Sequence, residues 1–260
     1  MKKKGQAVTL RSVDRAIAVL KTFSEEEPEL GVMELSQRLE LSKSTVHRLL
    51  ASLQRARLVD QDPKTEKYRL GIALVRLAGL VLKQIDVWQV SRPFLRSLAE
   101  VCEETVNLAV LTGDGKVINI DGVSSPRMVR NVGWIGREML PHCVASGKAL
   151  LAYLPLQRLE RILAKGLPRF TEETIADPIL LREELKRVRQ QGYAVAHEEL
   201  EIGLVAVAAP IWNHEGKVVA AVSVSGPSFR LSSEKIPELA ELTRRTTNDI
   251  SHQLGYAGEG

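Results

Sequence analysis

The stretch L-S-K-S-T-V-H-R-L-L-A-S-L-Q-R at residues 41–55 constrains the fold of this chain more than any other segment. Val46, Leu49, Leu50 and Leu53 fall at i, i+3, i+4 and i+7, the buried stripe of an amphipathic helix. Leu41 plugs the turn before it, and Ser42 is placed to cap its first turn. Away from the stripe project Lys43, Ser44, Thr45, His47, Arg48, Ser52 and Arg55, all donors or cations. Residues 41–59 contain Lys43, Arg48, Arg55 and Arg57 and no acid. Such a face can neutralise phosphates and release their counterions. Taken alone it also fits a solvated helix surface, so the flanking segments decide.

Upstream, Ser12 is a candidate cap for a helix whose Val13, Ile17, Leu20 and Phe23 share one face. The acidic residues 25–29 with Pro28, then Gly31, end it, and a short helix follows over Val32–Leu39. Downstream, Leu58–Gln61 and Lys67–Leu70 are short runs joined through Asp62-Pro63-Lys64-Thr65-Glu66. In the second run Tyr68 and Leu70 alternate with Lys67 and Arg69. That pattern predicts a β-hairpin behind the basic helix. Helix, helix-turn-helix and basic hairpin together make a winged helix-turn-helix, whose second helix enters the major groove of double-stranded operator DNA. Arg48 has the fork that matches a guanine edge, Ser42, Ser44, Thr45 and His47 serve bases or phosphates, and Lys43, Arg55, Lys64 and Lys67 anchor phosphates. The charge distribution agrees. Residues 1–71 carry 14 Lys+Arg against 10 Asp+Glu, while residues 72–260 carry 22 of each, so the whole excess of +4 lies in the first part.

At 260 residues the chain is long enough for two domains. Ile72–Ile85 carries a continuous apolar stripe of Leu74, Leu77, Val81 and Ile85, widened by Leu80 and Leu82, which needs a partner surface. A helix over Trp88–Glu104 follows. Strands are expected at Val106–Leu111, Lys116–Val123, Met128–Val132, Tyr193–Glu198, Val205–Ile211 and Val218–Ser225. Helices are expected near 146–154, 156–165 and 180–191, with a last one capped by Ser233. Strands at both ends with helices between give an α+β class. The longest apolar runs, Gly203–Trp212 and Val218–Val224, fall short of the ~20 residues that span a bilayer. With no secretory h-region and two cysteines, a cytoplasmic protein without a membrane partner is expected.

Several constellations could carry chemistry. Ser146-Gly147-Lys148-Ala149 lacks the P-loop glycine, having His142 there, and lacks the magnesium-holding hydroxyl at Ala149, so nucleotide hydrolysis is excluded. Ala145–Lys148 at a helix start still offers backbone N–H groups to an anion. His142, Cys143 and His197 could form a metal or enzymatic centre only if the fold brings them together, since no two have metal-site spacing on one element. Glu198, Glu199 and Glu201 read as a solvated turn. Ser223 and Ser225 are two apart on a strand, so both hydroxyls face one side and require a backbone, water or ligand partner. No cofactor and no catalytic residue is expected.

S-V-D-R-A-I-A-V-L (12–20), L-S-K-S-T-V-H-R-L-L (41–50), Y-R-L-G (68–71), H-C-V-A-S-G-K-A-L-L-A (142–152), E-E-L-E-x-G-L (198–204) and A-A-V-S-V-S-G-P (220–227) occur in this order. In these stretches the chain resembles the IclR family of bacterial transcriptional regulators, from Ser12 to about Leu254. The resemblance implies a winged helix-turn-helix DNA-binding domain over 1–71, a linker helix over 72–87 that dimerises it, and a GAF-like effector-binding domain over 88–260. It implies a homodimer or tetramer and a small organic effector, a carboxylate or an aromatic metabolite. The effector pocket it implies uses backbone donors of Ala145, Ser146 and Gly147, the hydroxyls of Ser223 and Ser225, and apolar walls from Leu140, Leu204 and Ala206. Some relatives carry a polar or acidic residue at the position of Ala196 and a cysteine at that of Ala206. Those walls are less polar here, which favours a larger or partly apolar effector over a glyoxylate-type one.

Overall fold

The computed structural model describes residues 10–24, 26–82, 86–132 and 135–257. The chain divides into two compact units between Val81 and Leu82, inside the segment expected to link two domains.

In the first unit, helices α1 (Arg11–Lys21), α2 (Val32–Arg38) and α3 (Lys43–Arg55) precede a two-stranded antiparallel hairpin, β1 (Val59–Gln61) and β2 (Tyr68–Leu70). Val46, Leu50 and Leu53 of α3 are buried with Val19 of α1, Leu35 of α2, Val59 and Tyr68. The periodic stripe of α3 is therefore the centre of this core. Leu30 and Tyr68 exchange backbone hydrogen bonds of 2.9 and 2.8 Å, which tie the hairpin to the segment entering α2. The hairpin turn is shaped by the Asp62 carboxylate, which accepts from the backbone N–H groups of Lys64 (2.7 Å) and Thr65 (3.0 Å). These two bonds hold Asp62 below the usual carboxylate range. Ser12 does not cap α1; the helix begins at Arg11 after Leu10, without a side-chain cap. Helix α4 (Ala73–Leu82) leaves Ile72, Val75, Leu77 and Leu80 exposed within the chain. The Val81 and Leu82 side chains and Ile85, expected on the same stripe, lie outside what the structure describes.

The second unit is a six-stranded sheet in the order β5-β4-β3-β8-β7-β6, with every neighbouring pair antiparallel. Its strands are β3 (Thr105–Leu111), β4 (Val117–Val123), β5 (Glu138–Met139), β6 (Ala194–His197), β7 (Leu204–Trp212) and β8 (Val218–Pro227). One face presents Val106, Leu108, Val205, Val207, Ile211, Val222 and Val224 to α5 (Asp86–Cys102) and α9 (Ile236–Gln253). The other presents Ala109, Ala194, Ala196, Ala208 and Ala221 to α6 (Ala145–Leu151), α7 (Leu156–Leu163) and α8 (Pro178–Gln191). Strand alternation thus sorts large residues to one face and alanines to the other. The small residues let α6 sit close to the sheet, and all seven of its residues are buried.

Two expectations are corrected here. Residues 128–132 form no strand: Met128, Val129 and Val132 are exposed, and among the described residues their backbone pairs with no strand. The segment is tied down by side chains instead, with Thr105 Oγ1 donating to the Asn131 carbonyl (2.6 Å) and the Arg230 guanidinium donating to that of Val129 (2.7 Å). The last helix starts at Ile236, so Ser233 is not its cap.

Gly147 shows how tightly α6 is seated. A Cβ there would lie 2.1 Å from the Pro141 carbonyl oxygen and 2.4 Å from its Cα, both rigid backbone atoms. Gly147→Ala is expected to destabilise the second unit by about 1–3 kcal/mol through overpacking, read as a lower urea midpoint at unchanged m-value. A midpoint equal to that of the parent chain would show that the backbone relaxes freely.

Candidate DNA-facing helix and effector cavity

Ser42 does cap α3. Its Oγ accepts from the Thr45 backbone N–H at 3.3 Å and lies 2.9 Å from Thr45 Oγ1 and 3.1 Å from Ser44 Oγ. The three hydroxyls expected at the DNA are therefore linked to one another around the helix start. Lys43, His47, Arg48 and Arg55 are exposed, and among the described residues no carboxylate pairs with Lys43, Arg48 or Arg55. The helix thus presents its cations uncompensated.

The hairpin differs. Lys64 is exposed in the turn, but Lys67 Nζ lies 3.4 Å from Glu34 Oε1, and Arg69 is 3.9 Å from Glu29. Glu34 is fixed at the start of α2, where its other oxygen accepts from the Gly31 N–H at 2.6 Å. That bond, more than Lys67, holds the Glu34 carboxyl below the usual range. Lys67 would therefore exchange a carboxylate for a phosphate on meeting DNA, which reduces its net contribution relative to Arg48 or Lys64.

In the second unit a cavity of about 50 Å³ lies between the alanine face of the sheet and the start of α6. Six of the eight residues expected at the effector line it: Ala145, Ser146, Leu204, Ala206, Ser223 and Ser225. The register explains the grouping, because Ser225 pairs with Ala206 and Thr105, and Ser223 with Ala208 and Asn107. The other two are elsewhere. Gly147 is turned against Pro141, and Leu140 lines a neighbouring cavity of about 60 Å³ with Pro141, His142 and Leu151.

The walls are more polar than Ala196 and Ala206 alone suggested. Asn107, Asn119, Asn131 and Glu199 also line the cavity, with Cys143, Met139 and Leu200. Asn131 Nδ2 donates to Ser225 Oγ at 2.8 Å, giving that hydroxyl its partner. Asn107 reaches the cavity because Gly122 beside it has no side chain: a Cβ there would lie 2.7 Å from Asn107 Oδ1. A β-bulge between Leu108 and Ala109 resets the register so that Asn119 sits opposite Ala109.

Lys148 and Glu199 were not expected to meet. Lys148 is 1% exposed, yet its Nζ donates to Glu199 Oε1 at 2.6 Å and to Glu184 Oε1 at 3.1 Å. Glu184 also holds Arg187 at 2.9 Å. Of the expected solvated acids only Glu201 is exposed; Glu199 is buried, and its backbone carbonyl accepts from Thr174 Oγ1 at 2.6 Å. Burial pushes the Glu199 carboxyl up from its usual value, opposed by the Lys148 ammonium. A lysine inside A-S-G-K-A-L-L-A was the available signal, since a buried ammonium requires a carboxylate.

His142, Cys143 and His197 do not assemble into a centre. His142 is buried with Nε2 2.9 Å from the Pro168 carbonyl oxygen, and burial lowers its pKa. The Cys143 thiol is pushed up to about 12 by burial and donates to the Leu140 carbonyl at 3.4 Å, while His197 is exposed. Among the described residues no three His, Cys, Asp or Glu side chains are placed to hold a metal. A metal centre built from these three residues therefore has no geometric basis among the described residues.

Replacing Lys148 by Met should leave the buried Glu199 without its cation while Glu184 keeps only Arg187, at a cost of about 3–5 kcal/mol. A carboxyl whose pKa is higher folded than unfolded binds more protons in the folded state, so its stability contribution is present at low pH and lost as pH rises through the folded pKa. Removing Lys148 raises Glu199 further. Urea melts of Lys148→Met should show a smaller deficit near pH ~5 than near pH ~8; a deficit independent of pH would contradict this role.

Residues 12–63 match the IclR helix-turn-helix domain, and residues 79–252 match the bacterial transcriptional regulator IclR C-terminal family. The HTH-type transcriptional regulator XynR of Escherichia coli (strain K12) is 35% identical over 248 residues, covering 95% of this chain and 98% of its own. The HTH-type transcriptional repressor AllR of the same strain is 35% identical over 246 residues, covering 94% and 90%. A crystal structure of an IclR homologue from Microbacterium hydrocarbonoxydans, complexed with 4-hydroxybenzoate, superposes with a TM-score of 0.83. Its sequence is 27% identical, and the match covers 94% of this chain and 98% of that one.

Proposed function

Because this chain belongs to the IclR family of bacterial transcriptional regulators, we propose how its parts divide the work of a DNA-binding regulator with a C-terminal effector-binding domain. The helix-turn-helix unit reads the operator. Arg48 contacts a base edge, His47 and the Ser42–Ser44–Thr45 cap group contact bases or the adjoining backbone, and Lys43, Arg55 and Lys64 neutralise phosphates, with Lys67 secondary. The observation that carries this assignment is an α3 face with no acid and no ion-paired cation among the described residues. Ile72, Val75, Leu77 and Leu80 are exposed on and beside α4. A second copy of the chain would cover them and supply the second recognition helix that a two-fold operator requires.

The effector site is the cavity lined by Ala145, Ser146, Leu204, Ala206, Ser223 and Ser225. The bound 4-hydroxybenzoate in a homologue supports a small organic effector, and the repressor name of one relative supports repression as the mode. Among the described residues no helix is long and apolar enough to cross a membrane, which suits a regulator acting in the cytoplasm. Cys143 is buried with its thiol pushed up to about 12, which suits a role without catalysis.

Arg48→Ala is expected to cost about 1–3 kcal/mol on the cognate operator and much less on random duplex, measured by fluorescence anisotropy. Lys64→Ala should weaken both duplexes alike and flatten the salt dependence. An equal loss on both duplexes for Arg48→Ala would make it a phosphate contact and reassign the base reading to its neighbours.

A further inference from the structure

The cavity assigned above as the effector site is lined by residues carrying buried acceptors that no described residue satisfies. Asn107 Oδ1, Asn119 Oδ1 and Glu199 Oε2 are buried without a hydrogen-bond partner among the described residues, on residues 3%, 6% and 6% exposed. All three residues line the same space. Buried polar atoms are normally paired, so three orphans around one cavity mark positions where a bound molecule completes the bonding. On the sheet, Asn107 stands on β3 beside Ser223, and Asn119 stands on β4. Glu199 follows β6 and is held from the α6 side by Lys148. The orphans thus belong to different walls.

On the reading that this cavity holds the effector, we propose that the effector is a small polyhydroxylated molecule, with hydroxyl groups toward both the asparagine wall and Glu199. The chemistry of the lining selects this class. Asparagine amides and serine hydroxyls offer donors as well as acceptors, and a hydroxyl both donates and accepts. It therefore satisfies Asn107 or Asn119 whichever way the amide is turned. Glu199 has one oxygen held by Lys148 at 2.6 Å and the other without a hydrogen-bond partner among the described residues, an acceptor with a fixed direction. An ammonium ligand would accept nothing from the amide or hydroxyl donors and would sit beside the buried Lys148 charge. A simple carboxylate without hydroxyls would meet Glu199 and leave all three acceptors empty, with no cation among the described residues lining the cavity. Lys148 is a positioning residue: it does not line the cavity but orients the carboxylate that does.

The test uses the full chain and matched acids of three to five carbons, each compared with its deoxy counterpart, glycerate against propanoate being the smallest pair. Glycerol and erythritol form the neutral arm. Thermal shift and calorimetry should show the hydroxylated member binding at least about tenfold more tightly in these pairs, the size of one well-made hydrogen bond to a charged group. Asn107→Ala and Glu199→Gln should each reduce that ratio; a merely structural role would weaken both members equally and leave the ratio as it was. Deoxy members binding as tightly as their partners, or no binding in either arm, would overturn the proposal and leave water as the partner of these acceptors. Ala206→Trp fills the cavity, with Ser225→Leu as a second filler should the first not fold. Hydroxyl-selective binding that survives in the folded filler would place the ligand elsewhere and overturn the cavity assignment together with this proposal. Loss of all binding in the filler, with no hydroxyl preference in the parent chain, would overturn the ligand class alone.

Discussion

The buried ion pair of Lys148 with Glu199 is the constraint around which the C-terminal unit is arranged. An ammonium that is 1% exposed in a wholly buried helix is tolerable only with a carboxylate at hydrogen-bond distance. Satisfying it draws the turn after β6 over α6 and brings Glu184 of α8 to the same nitrogen. Three elements distant in sequence are thereby fixed relative to one sheet face. That face is lined by alanines, so α6 packs close where Gly147 meets Pro141 and leaves a void where its first turn passes Ser223 and Ser225. The cavity is a consequence of a charge that had to be paired above a wall made of small side chains.

The N-terminal unit rests on simpler physics. One apolar stripe on α3 builds its core, and the opposite side of the same helix is left cationic and unpaired among the described residues. The hairpin returns to the sheet-like bridge at Leu30 and Tyr68, which fixes its direction relative to α2. Its cations are partly balanced by Glu29 and Glu34. Such balance favours a unit that stays compact in the absence of DNA, while the α3 cations keep their electrostatic gain for the complex.

Helical periodicity made the three N-terminal helices and the hairpin legible, because a 3.6-residue pattern and a turn-forming Asp-Pro do not depend on distant contacts. Alternation likewise identified the long strands and placed Ser223 and Ser225 on a common face. Residues 128–132 carry apolar Met128, Val129 and Val132 in a strand-like pattern, yet among the described residues their backbone is met by the side chains of Thr105 and Arg230 and pairs with no strand. Asn107 and Asn119 could not be assigned from sequence. A single polar residue in a strand points to a site only once the register is known, and here a bulge at Leu108 and Ala109 sets it. Lys148 and Glu199 are 51 residues apart, a separation that local patterns do not bridge.

In the proposed division of work, ligand bound in the cavity of one unit governs DNA binding by the other, and linkage makes this directly measurable. Operator affinity of the full chain should be determined with and without a saturating concentration of the molecule that most stabilises the C-terminal unit. The affinity of that molecule should then be determined with and without operator duplex. Each should shift the other by the same factor, about five-fold or more. Operator affinity that is indifferent to a ligand bound in the cavity would contradict it.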